Sequence, residues 1–306
     1  METVCPKVAI IILNWNGLAD TLECLDSLQK IVYPNYVIAV IDNGSKSNDA
    51  EIVKKKFGAF VFVIREEKNL GFAGGCNEGI RWALRTGANY ILLLNNDTVV
   101  DSNFLVELVN VAQKDVQIGI VGPKILFYEQ PRRIWTVGGR VNFWTGITPL
   151  IGKYEIDDGR FDRIEEVDFV SGAALLVKEE TIRRIGLLNE LYFAYYEETE
   201  WCIKARKAFF KVVYVPKARV WHKSHKGGTS ELAMYYMTRN RFIFVRRNSS
   251  GRHFIVFSLY FLATDLILQI KCKVFVRPKL FITYLKGIRD GLYYLRTKNN
   301  AKVPRQ

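Results

Sequence analysis

Three apolar runs in the first hundred residues each stop abruptly at a cluster of polar side chains. The runs are VAIIIL from Val8, VIAVI from Val37 and YILLL from Tyr90. Their composition predicts buried strands, and the helix-length segments between them predict a doubly wound, mostly parallel α/β sheet. Because the carboxyl ends of parallel strands meet at one edge, we expect the three polar clusters to form one ligand site.

The polar cluster after the third run has the chemistry of a metal site. Asp97 follows two asparagines there, and a carboxylate at the mouth of a sheet supplies the oxygen ligands that Mg²⁺ or Mn²⁺ prefers. A divalent metal held in this way can bind a diphosphate. The alternative is structural, since Asp97 could equally stabilise a turn before the next helix.

A glycine-rich turn, NLGFAGGCNEG from Asn69 to Gly79, precedes a predicted helix. It matches neither the dinucleotide fingerprint nor the phosphate loop of nucleotide-binding proteins. Its glycines permit close approach of a ligand to the backbone near a helix start, or simply a tight turn.

The second half of the chain adds two candidate clusters. Glu197 and Glu198 follow an aromatic run, where apolar rings would raise the pKa of a carboxylate and make it a general base. Glutamates in the first turn of a helix also stabilise the helix dipole, so a structural role stays open. His222 ends a predicted strand and could bind a metal, a phosphate or only a hydrogen-bond partner.

Charge and cysteine content indicate the surroundings of the protein. The five cysteines are scattered singly and no secretory signal is evident, which predicts a reducing, cytoplasmic setting. From Arg239 onward there are 15 lysines and arginines against two acids, which accounts for the whole net charge of +13. This asymmetry predicts an anionic partner for the C-terminal segment.

The basic segment also contains an apolar run, Phe254 to Ile270, interrupted by Asp265 and Gln269. A membrane-spanning helix needs roughly 20 apolar residues, so we expect a helix that lies on an anionic membrane surface or docks on the body. No nucleic-acid-binding motif accompanies the charge, and we expect no nucleic-acid partner. The predicted division is therefore a catalytic domain of residues 1–238, with halves of 1–118 and 119–238, and a basic amphipathic helical extension of residues 239–306.

Taken in order, these segments resemble glycosyltransferase family 2 of the GT-A fold, most of all its rhamnosyltransferase-like branch. The resemblance runs from Val8 to Asn248 and rests on the motifs IILNWNG, VIDNGS, NLGFAGGCNEG, ILLLNNDT, VDFVSGAALLV, YFAYYEETEW, VWH and TRN. It implies an α/β GT-A fold and an inverting glycosyltransferase.

The resemblance also implies roles for individual residues. Asp97 and His222 would hold a divalent metal, Mg²⁺ or Mn²⁺, with Asn95 standing where the family often has a first acid. Glu198 would be the general base, with Glu197 as its rival. The residues implied to bind the nucleotide-sugar are Asn14, Asn16, Asp42, Asn43, Asn69, Gly71, Gly75, Asn77, Asn95 and Asn96. Those on the acceptor side are Ser171, Gly172 and Trp201.

The implied reaction moves a sugar, rhamnose in this branch, from a nucleoside-diphosphate donor to a hydroxyl of a glycan or lipid-linked acceptor. Two other functions compete with it. A nucleotidyltransferase can share a doubly wound nucleotide-binding core, although it would want a basic glycine-rich loop near the first strand. A non-catalytic, membrane-associated module with a degenerate site is the third reading.

Overall fold

The computed structural model describes residues 5–223, 230–267 and 277–296. Ten strands in this part of the chain form one sheet. They are β1 (Val8–Asn14), β2 (Tyr36–Asp42), β3 (Phe62–Arg65), β4 (Tyr90–Asn95), β5 (Thr98–Val100), β6 (Ile118–Phe127), β7 (Gln130–Thr136), β8 (Glu165–Glu166), β9 (Ala174–Lys178) and β10 (Lys211–His222).

Helices cover both faces of the sheet and extend beyond it at the C-terminal end. They are α1 (Leu18–Leu28), α2 (Asp49–Phe57), α3 (Gly71–Arg85), α4 (Phe104–Lys114), α5 (Glu179–Ile185), α6 (Glu197–Lys207), α7 (Glu231–Asn248), α8 (Gly251–Tyr260) and α9 (Pro278–Arg296). Short 3-10 turns lie at Gly58–Phe60 and Glu190–Tyr192, and α8 continues into a π-helical turn at Phe261–Leu266.

The strand order is β3-β2-β1-β4-β9-β6-β10-β5, with β7 beside β6 and β8 beside β10. β3, β2, β1 and β4 are mutually parallel, whereas β9 runs antiparallel between β4 and β6. The predicted doubly wound, mostly parallel sheet is confirmed. The chain places β2 on one side of β1 and β4 on the other, so the edge beyond β1 is the topological switch point where such sheets bind ligands.

Alternate residues of β1 enter two separate cores, because successive side chains of a strand point to opposite faces. Ile10 and Ile12 pack with α1, α2 and α4, whereas Ala9 and Ile11 pack with α3 and α6. Both faces of the central strands are therefore covered, which is why their sequences are continuously apolar rather than alternating.

A third core joins the C-terminal helices. Phe242 and Phe244 of α7 are buried with Phe257 of α8 and Tyr284 of α9. The predicted domain boundary between residues 238 and 239 falls inside α7, so the helix belongs as a whole to one side of any division. In the described residues no helix is long and apolar enough to cross a membrane.

Two strands differ from the sequence expectation. Residues 212–215 and 219–221 suggest two short strands, but they form the single strand β10, with an irregular register between Val215 and Arg219. Pro216 lies in that irregular stretch, where a residue without an amide hydrogen is tolerated because the regular pairing is interrupted. The predicted strand over 168–177 is ordered as a strand only in β9, because residues 171–173 form a turn before it.

Candidate active site

The polar clusters that end β1, β2 and β4 meet at one edge of the sheet, as the sequence predicts. Asn14 is paired in register with Asp42, and Leu13 with Asn95. A cavity of about 420 Å³ opens at this edge. Of the residues predicted to bind donor or metal, those that line it are Asn16, Asn43, Asn69, Gly71, Asn95, Asn96 and Asp97.

Asn14 lies behind the cavity and joins the first two polar clusters. Its side chain is fully buried, and its Nδ2 donates to Asp49 Oδ2 at 2.9 Å and to Ser45 Oγ at 3.2 Å. Its Oδ1 accepts from the Gly17 amide at 3.1 Å and from Thr21 Oγ1 at 3.0 Å. The hydrogen-bonding capacity of Asn14 is thus used to fix the loops that form the cavity wall.

Asp42 is fully buried beside the same wall. Its Oδ1 accepts from the Ser45 amide at 3.1 Å, and Arg65 Nε lies 3.9 Å from its Oδ2. Within the described residues Oδ2 has no hydrogen-bond partner. A buried carboxylate oxygen without a donor is costly, and a ligand hydroxyl or N–H would satisfy it.

The glycine-rich turn is held against the cavity by Asn43. Asn43 donates to Asn69 Oδ1 at 3.0 Å and to the Gly71 carbonyl at 3.1 Å, and it accepts from the Leu70 amide at 3.0 Å. Gly71 has a φ of +78°, and a Cβ there would lie 2.5 Å from the Phe193 ring. This glycine is required both by its backbone conformation and by close packing.

Gly75 and Asn77 lie deeper than the sequence expectation placed them. A Cβ on Gly75 would meet Leu13 Cδ1 at 2.3 Å, so this glycine lets α3 approach β1 closely. Asn77 donates to the Leu188 carbonyl at 2.9 Å and accepts from the Leu188 amide at 3.0 Å. Both residues lie within α3, which begins at Gly71, so most of the predicted turn from Asn69 to Gly79 is helical, and neither residue is among those that line the cavity.

Asp97 and His222 come together from distant parts of the sequence. β5 pairs antiparallel with β10, with His222 opposite Thr98, and this brings His222 Nε2 to 3.1 Å from Asp97 Oδ1. His222 is 7% exposed, and its Nδ1 has no hydrogen-bond partner among the described residues.

This pair suits a divalent metal in its ligand chemistry. A carboxylate oxygen and an imidazole nitrogen are both ligands of Mn²⁺-type ions. In the described part of the chain no group of three or more His, Cys, Asp and Glu side chains could hold a metal ion.

The two glutamates begin α6, directly after an aromatic loop. Glu197 is 5% exposed, and its Oε2 has no hydrogen-bond partner in the described residues. Burial, and then the charge of Glu198, raise the pKa of Glu197 well above the ordinary glutamate value. Burial also raises the pKa of Glu198.

Glu198 is more accessible than Glu197 and has space beside it. A Cβ on Gly172 would lie 3.4 Å from Glu198 Cγ and 3.5 Å from the Phe72 ring, and Phe72 also lines the cavity. Ser171, next to Gly172, accepts the Ala173 amide in the turn before β9. The absence of a side chain at Gly172 leaves room next to the Glu198 side chain.

Trp201 does not fit the predicted acceptor contact. It is 1% exposed within the core, and its indole N–H donates to the Gly186 carbonyl at 2.8 Å. The spacing from Glu197 places it one turn further along α6, on the face that packs against the sheet.

Several cavity residues were not predicted from the sequence. Trp15 is 48% exposed at the cavity, and Phe193, Ala194 and Leu232 also line it. Trp15 had a signal, since a large aromatic residue inside a polar cluster is poorly placed for a core. The other three lie in segments whose sequence does not differ from that of ordinary core segments.

Comparison with known proteins agrees with this geometry. A family model described as "Glycosyltransferase like family 2" matches residues 6–244. The chain is 26% identical over 248 residues to the low-salt glycan biosynthesis hexosyltransferase Agl10 of Haloferax volcanii, covering 79% of this chain and 76% of that protein. It is 25% identical over 302 residues to the dTDP-rhamnosyl transferase RfbF of Shigella flexneri, covering 92% and 96%.

Solved structures share the fold. A mannosyltransferase from Pyrobaculum calidifontis, in complex with GDP-Man and Mn²⁺, superposes with a TM-score of 0.61 at 14% identity, covering 95% of this chain and 88% of that one. GalNAc-T7 with UDP, GalNAc and Mn²⁺ gives a TM-score of 0.66 at 16% identity, covering 100% and 60%. With the family model spanning most of the sequence and the GT-A fold shared, the chain belongs to glycosyltransferase family 2.

Proposed function

We propose that this glycosyltransferase moves a hexose-type sugar from a nucleoside diphosphate to an acceptor hydroxyl, with inversion at the anomeric carbon. One observation carries the proposal. Phe72, which lines the cavity together with Asp97 and the asparagine clusters, adjoins Gly172 beside Glu198, whose pKa burial raises. We infer that Asp97 would bind the diphosphate on one side of Phe72 and that Glu198 would act as the base on the other.

In the proposed reaction Glu198 takes the proton from the acceptor hydroxyl as its oxygen bonds to the anomeric carbon. The bond from that carbon to the phosphate oxygen breaks, and its electron pair leaves with the nucleoside diphosphate. Glu198 is preferred to Glu197 as the base because it is less buried and adjoins the space at Gly172. A raised pKa brings the base closer to the operating pH, where proton transfer is efficient.

Donor binding is assigned to the edge of the sheet. Asp42 would accept from the nucleoside, Asn16, Asn43 and the turn at Asn69 would border it, and Trp15 offers an exposed ring against which a base can stack. Asp97 and His222 would hold Mg²⁺ or Mn²⁺, and such a metal, when bound, would offset the charge of the diphosphate. RfbF, named as a dTDP-rhamnosyl transferase, makes dTDP-rhamnose the first donor to test.

The acceptor is proposed to be a glycan or lipid-linked hydroxyl, and the enzyme to work at an anionic membrane surface in the cytoplasm. Support comes from α8, where Ile255 and Leu259 are exposed one helical turn apart, and from Leu262, which is exposed in the π-helical turn that follows. The excess of lysine and arginine after residue 238 would attract anionic lipid at about 1 kcal/mol per charge near the surface.

The proposal is tested by a thermal-shift screen of dTDP, UDP and GDP and of their sugars, with and without Mn²⁺. Binding to the folded state raises the melting temperature by mass action, so one nucleoside diphosphate should stabilise the protein, and more so with metal. The donor found in this way should then release its nucleoside diphosphate when acceptor is added. Absence of any nucleotide-dependent shift would contradict the enzyme proposal and favour the non-catalytic alternative.

A further inference from the structure

The loop that leads into the two glutamates has an unusual backbone. Residues 191–196, which run from the 3-10 turn at Glu190–Tyr192 to the start of α6, are here called the aromatic loop. Two of them, Phe193 and Ala194, line the donor cavity. Phe193, Tyr195 and Tyr196 have φ values of 65°, 67° and 76°. Aromatic residues rarely adopt this conformation, and it persists only where the surroundings impose it.

Two adjacent residues of α7 impose it by binding the carbonyl groups of the loop. Asn240 Nδ2 lies 3.0 Å from the Tyr192 carbonyl oxygen, 2.7 Å from that of Ala194 and 2.8 Å from that of Tyr195. Arg239 Nη2 donates to the Leu191 and Tyr192 carbonyls at 2.7 and 2.9 Å. Both side chains are buried, with exposures of 1% for Arg239 and 0% for Asn240.

The two side chains also fix each other. Arg239 Nε donates to Asn240 Oδ1 at 2.9 Å, which turns the amide nitrogen of Asn240 towards the loop. The Arg239 guanidinium lies 4.8 Å from the centroid of the Tyr236 ring, and that ring stacks on Phe193 at 4.9 Å. Phe193 also packs close to Gly71, where an added Cβ would lie 2.5 Å from its ring, and its carbonyl accepts from the Ala73 amide at 3.2 Å. The aromatic loop is therefore clamped between α7 and the glycine-rich turn.

We propose that Arg239 and Asn240 are positioning residues for sugar transfer, which hold the aromatic loop so that Glu198 faces the donor cavity. The inference rests on the proposed function and adds to it two residues that touch neither donor nor acceptor. Tyr196 is the residue immediately before α6, so any relaxation of its left-handed backbone redirects the helix turn that carries Glu197 and Glu198.

The decisive variant is Asn240→Asp, with Asn240→Ala beside it. Aspartate has the same shape and can still accept from Arg239, but it presents an oxygen instead of an N–H donor to three carbonyl oxygens. We expect kcat to fall at least 30-fold for Asn240→Asp and less for Asn240→Ala. The dissociation constant of the nucleoside diphosphate should change by a smaller factor than kcat, because Phe193 and Ala194 line the same cavity but the residues at the sheet edge are untouched.

The pH dependence of kcat distinguishes positioning from loss of stability. The titratable groups that face Glu198 are Glu197 and Cys202 of α6 and Tyr195 of the loop, whereas Phe72 and Gly172 on the other side carry no charge. A loosened loop admits water to Glu198, so the rise of kcat with pH should move to lower pH in the Asn240 variants.

Lys124→Met is the matched structural control. Lys124 is also fully buried and joins distant segments, through Asp157 and Asp162 at 2.6 Å each, but it makes no contact with the aromatic loop in the described structure. The melting temperature of Lys124→Met should fall, whereas its kcat and the pH dependence of kcat should match those of the wild type. The inference is overturned if Asn240→Asp retains wild-type kcat and pH profile, or if Lys124→Met reproduces its defects.

Arg239→Lys settles the question if neither Asn240 variant folds. Lysine keeps the charge but offers a single nitrogen where Arg239 reaches two carbonyls and Asn240, so an intermediate loss of kcat with a shifted pH profile is expected. An unchanged kcat would overturn the inference. Failure of the proposed function is distinguishable, since the wild-type protein would then release no nucleoside diphosphate from any donor.

Discussion

Glu197 and Glu198 are adjacent in the sequence, but we expect only Glu198 to act as the base. Replacing Glu198 by Gln keeps the shape and removes the base, so transfer should fall by about 10²- to 10⁴-fold while nucleotide binding is retained. Glu197→Gln should keep transfer within about tenfold of wild type. Steady-state rates with the identified donor, together with thermal shifts by its nucleoside diphosphate, measure both. Reversed losses would make Glu197 the base.

Glu197 also makes the stability of the protein depend on pH. Its pKa is raised in the folded state by burial and by Glu198, whereas in the unfolded state it is about 4.3. Between these values the folded state holds a proton that the unfolded state lacks, so this residue lowers the free energy of unfolding as pH rises. The difference in melting temperature between Glu197→Gln and the wild type should therefore shift in favour of the variant as the pH rises from 5 to about 7. Glu129→Gln, at an exposed position, is the control and should show no such trend.

At the residue scale, the sequence predicted side chains whose position follows from where a strand ends. Asn43, Asn95 and Asp97 reached the cavity because the ends of parallel strands share one edge. Arg239 and Asn240 had no comparable signal, although they lie in the TRN motif. Their partners are backbone carbonyls more than forty residues away. Carbonyl groups are the same in every residue, so the sequence does not reveal which of them will be bound.

Among the elements, the close packing of α9 on α7 depends on two glycines. A Cβ on Gly287 would lie 2.9 Å from the Tyr235 carbonyl oxygen and 2.9 Å from Thr238 Cβ, and one on Gly291 would lie 3.2 Å from the Arg239 carbonyl oxygen. α9 therefore supports α7 at the level of the residues that hold the aromatic loop. Gly287→Ala should lower stability by about 1–3 kcal/mol, because a backbone oxygen and the Cβ of Thr238, which is fixed to the backbone, cannot move aside cheaply.

The control for this substitution is Gly251→Ala at the start of α8, where no atom lies within 4 Å of the added Cβ. Alanine is intrinsically the better helix former by about 1 kcal/mol, so Gly251→Ala should be neutral or stabilising. Chemical denaturation of the two variants compares them directly. Equal effects would mean that α9 does not pack closely on α7.

Element boundaries were predictable where an apolar run and its flanking residues agreed, as for β4, which begins at Tyr90. They failed where a long-range contact decides the outcome. β10 continues through Pro216 because β6 is paired along both of its halves, which the local sequence cannot indicate. The aromatic loop is a second case, since its backbone conformation is imposed by α7.

At the scale of the whole molecule, the neutral body and the basic C-terminal segment predict orientation on a membrane. In the described residues α8 exposes Leu259 (63%) and Ile255 (62%), while Arg252 before them and Lys279 on α9 are exposed cations. Apolar side chains next to cations are typical of helices that lie in the interface of an anionic bilayer. Because α8 and α9 pack on α7, a membrane-bound extension would keep the aromatic loop near the lipid surface, where a lipid-linked acceptor is found.

Vesicle co-sedimentation tests this orientation. The wild-type protein should bind vesicles containing phosphatidylglycerol, release them as salt is raised, and bind pure phosphatidylcholine weakly, because the attraction of lysine and arginine is screened. Leu259→Asp should reduce binding to anionic vesicles about tenfold or more, since it places a like charge in the interface and removes apolar contact. Val116→Asp alters an apolar side chain on the body that is more exposed than Leu259, at 82%, and this variant should bind as wild type does. If both variants bind equally well, the attraction is general charge rather than α8, and an acceptor in solution becomes the better expectation.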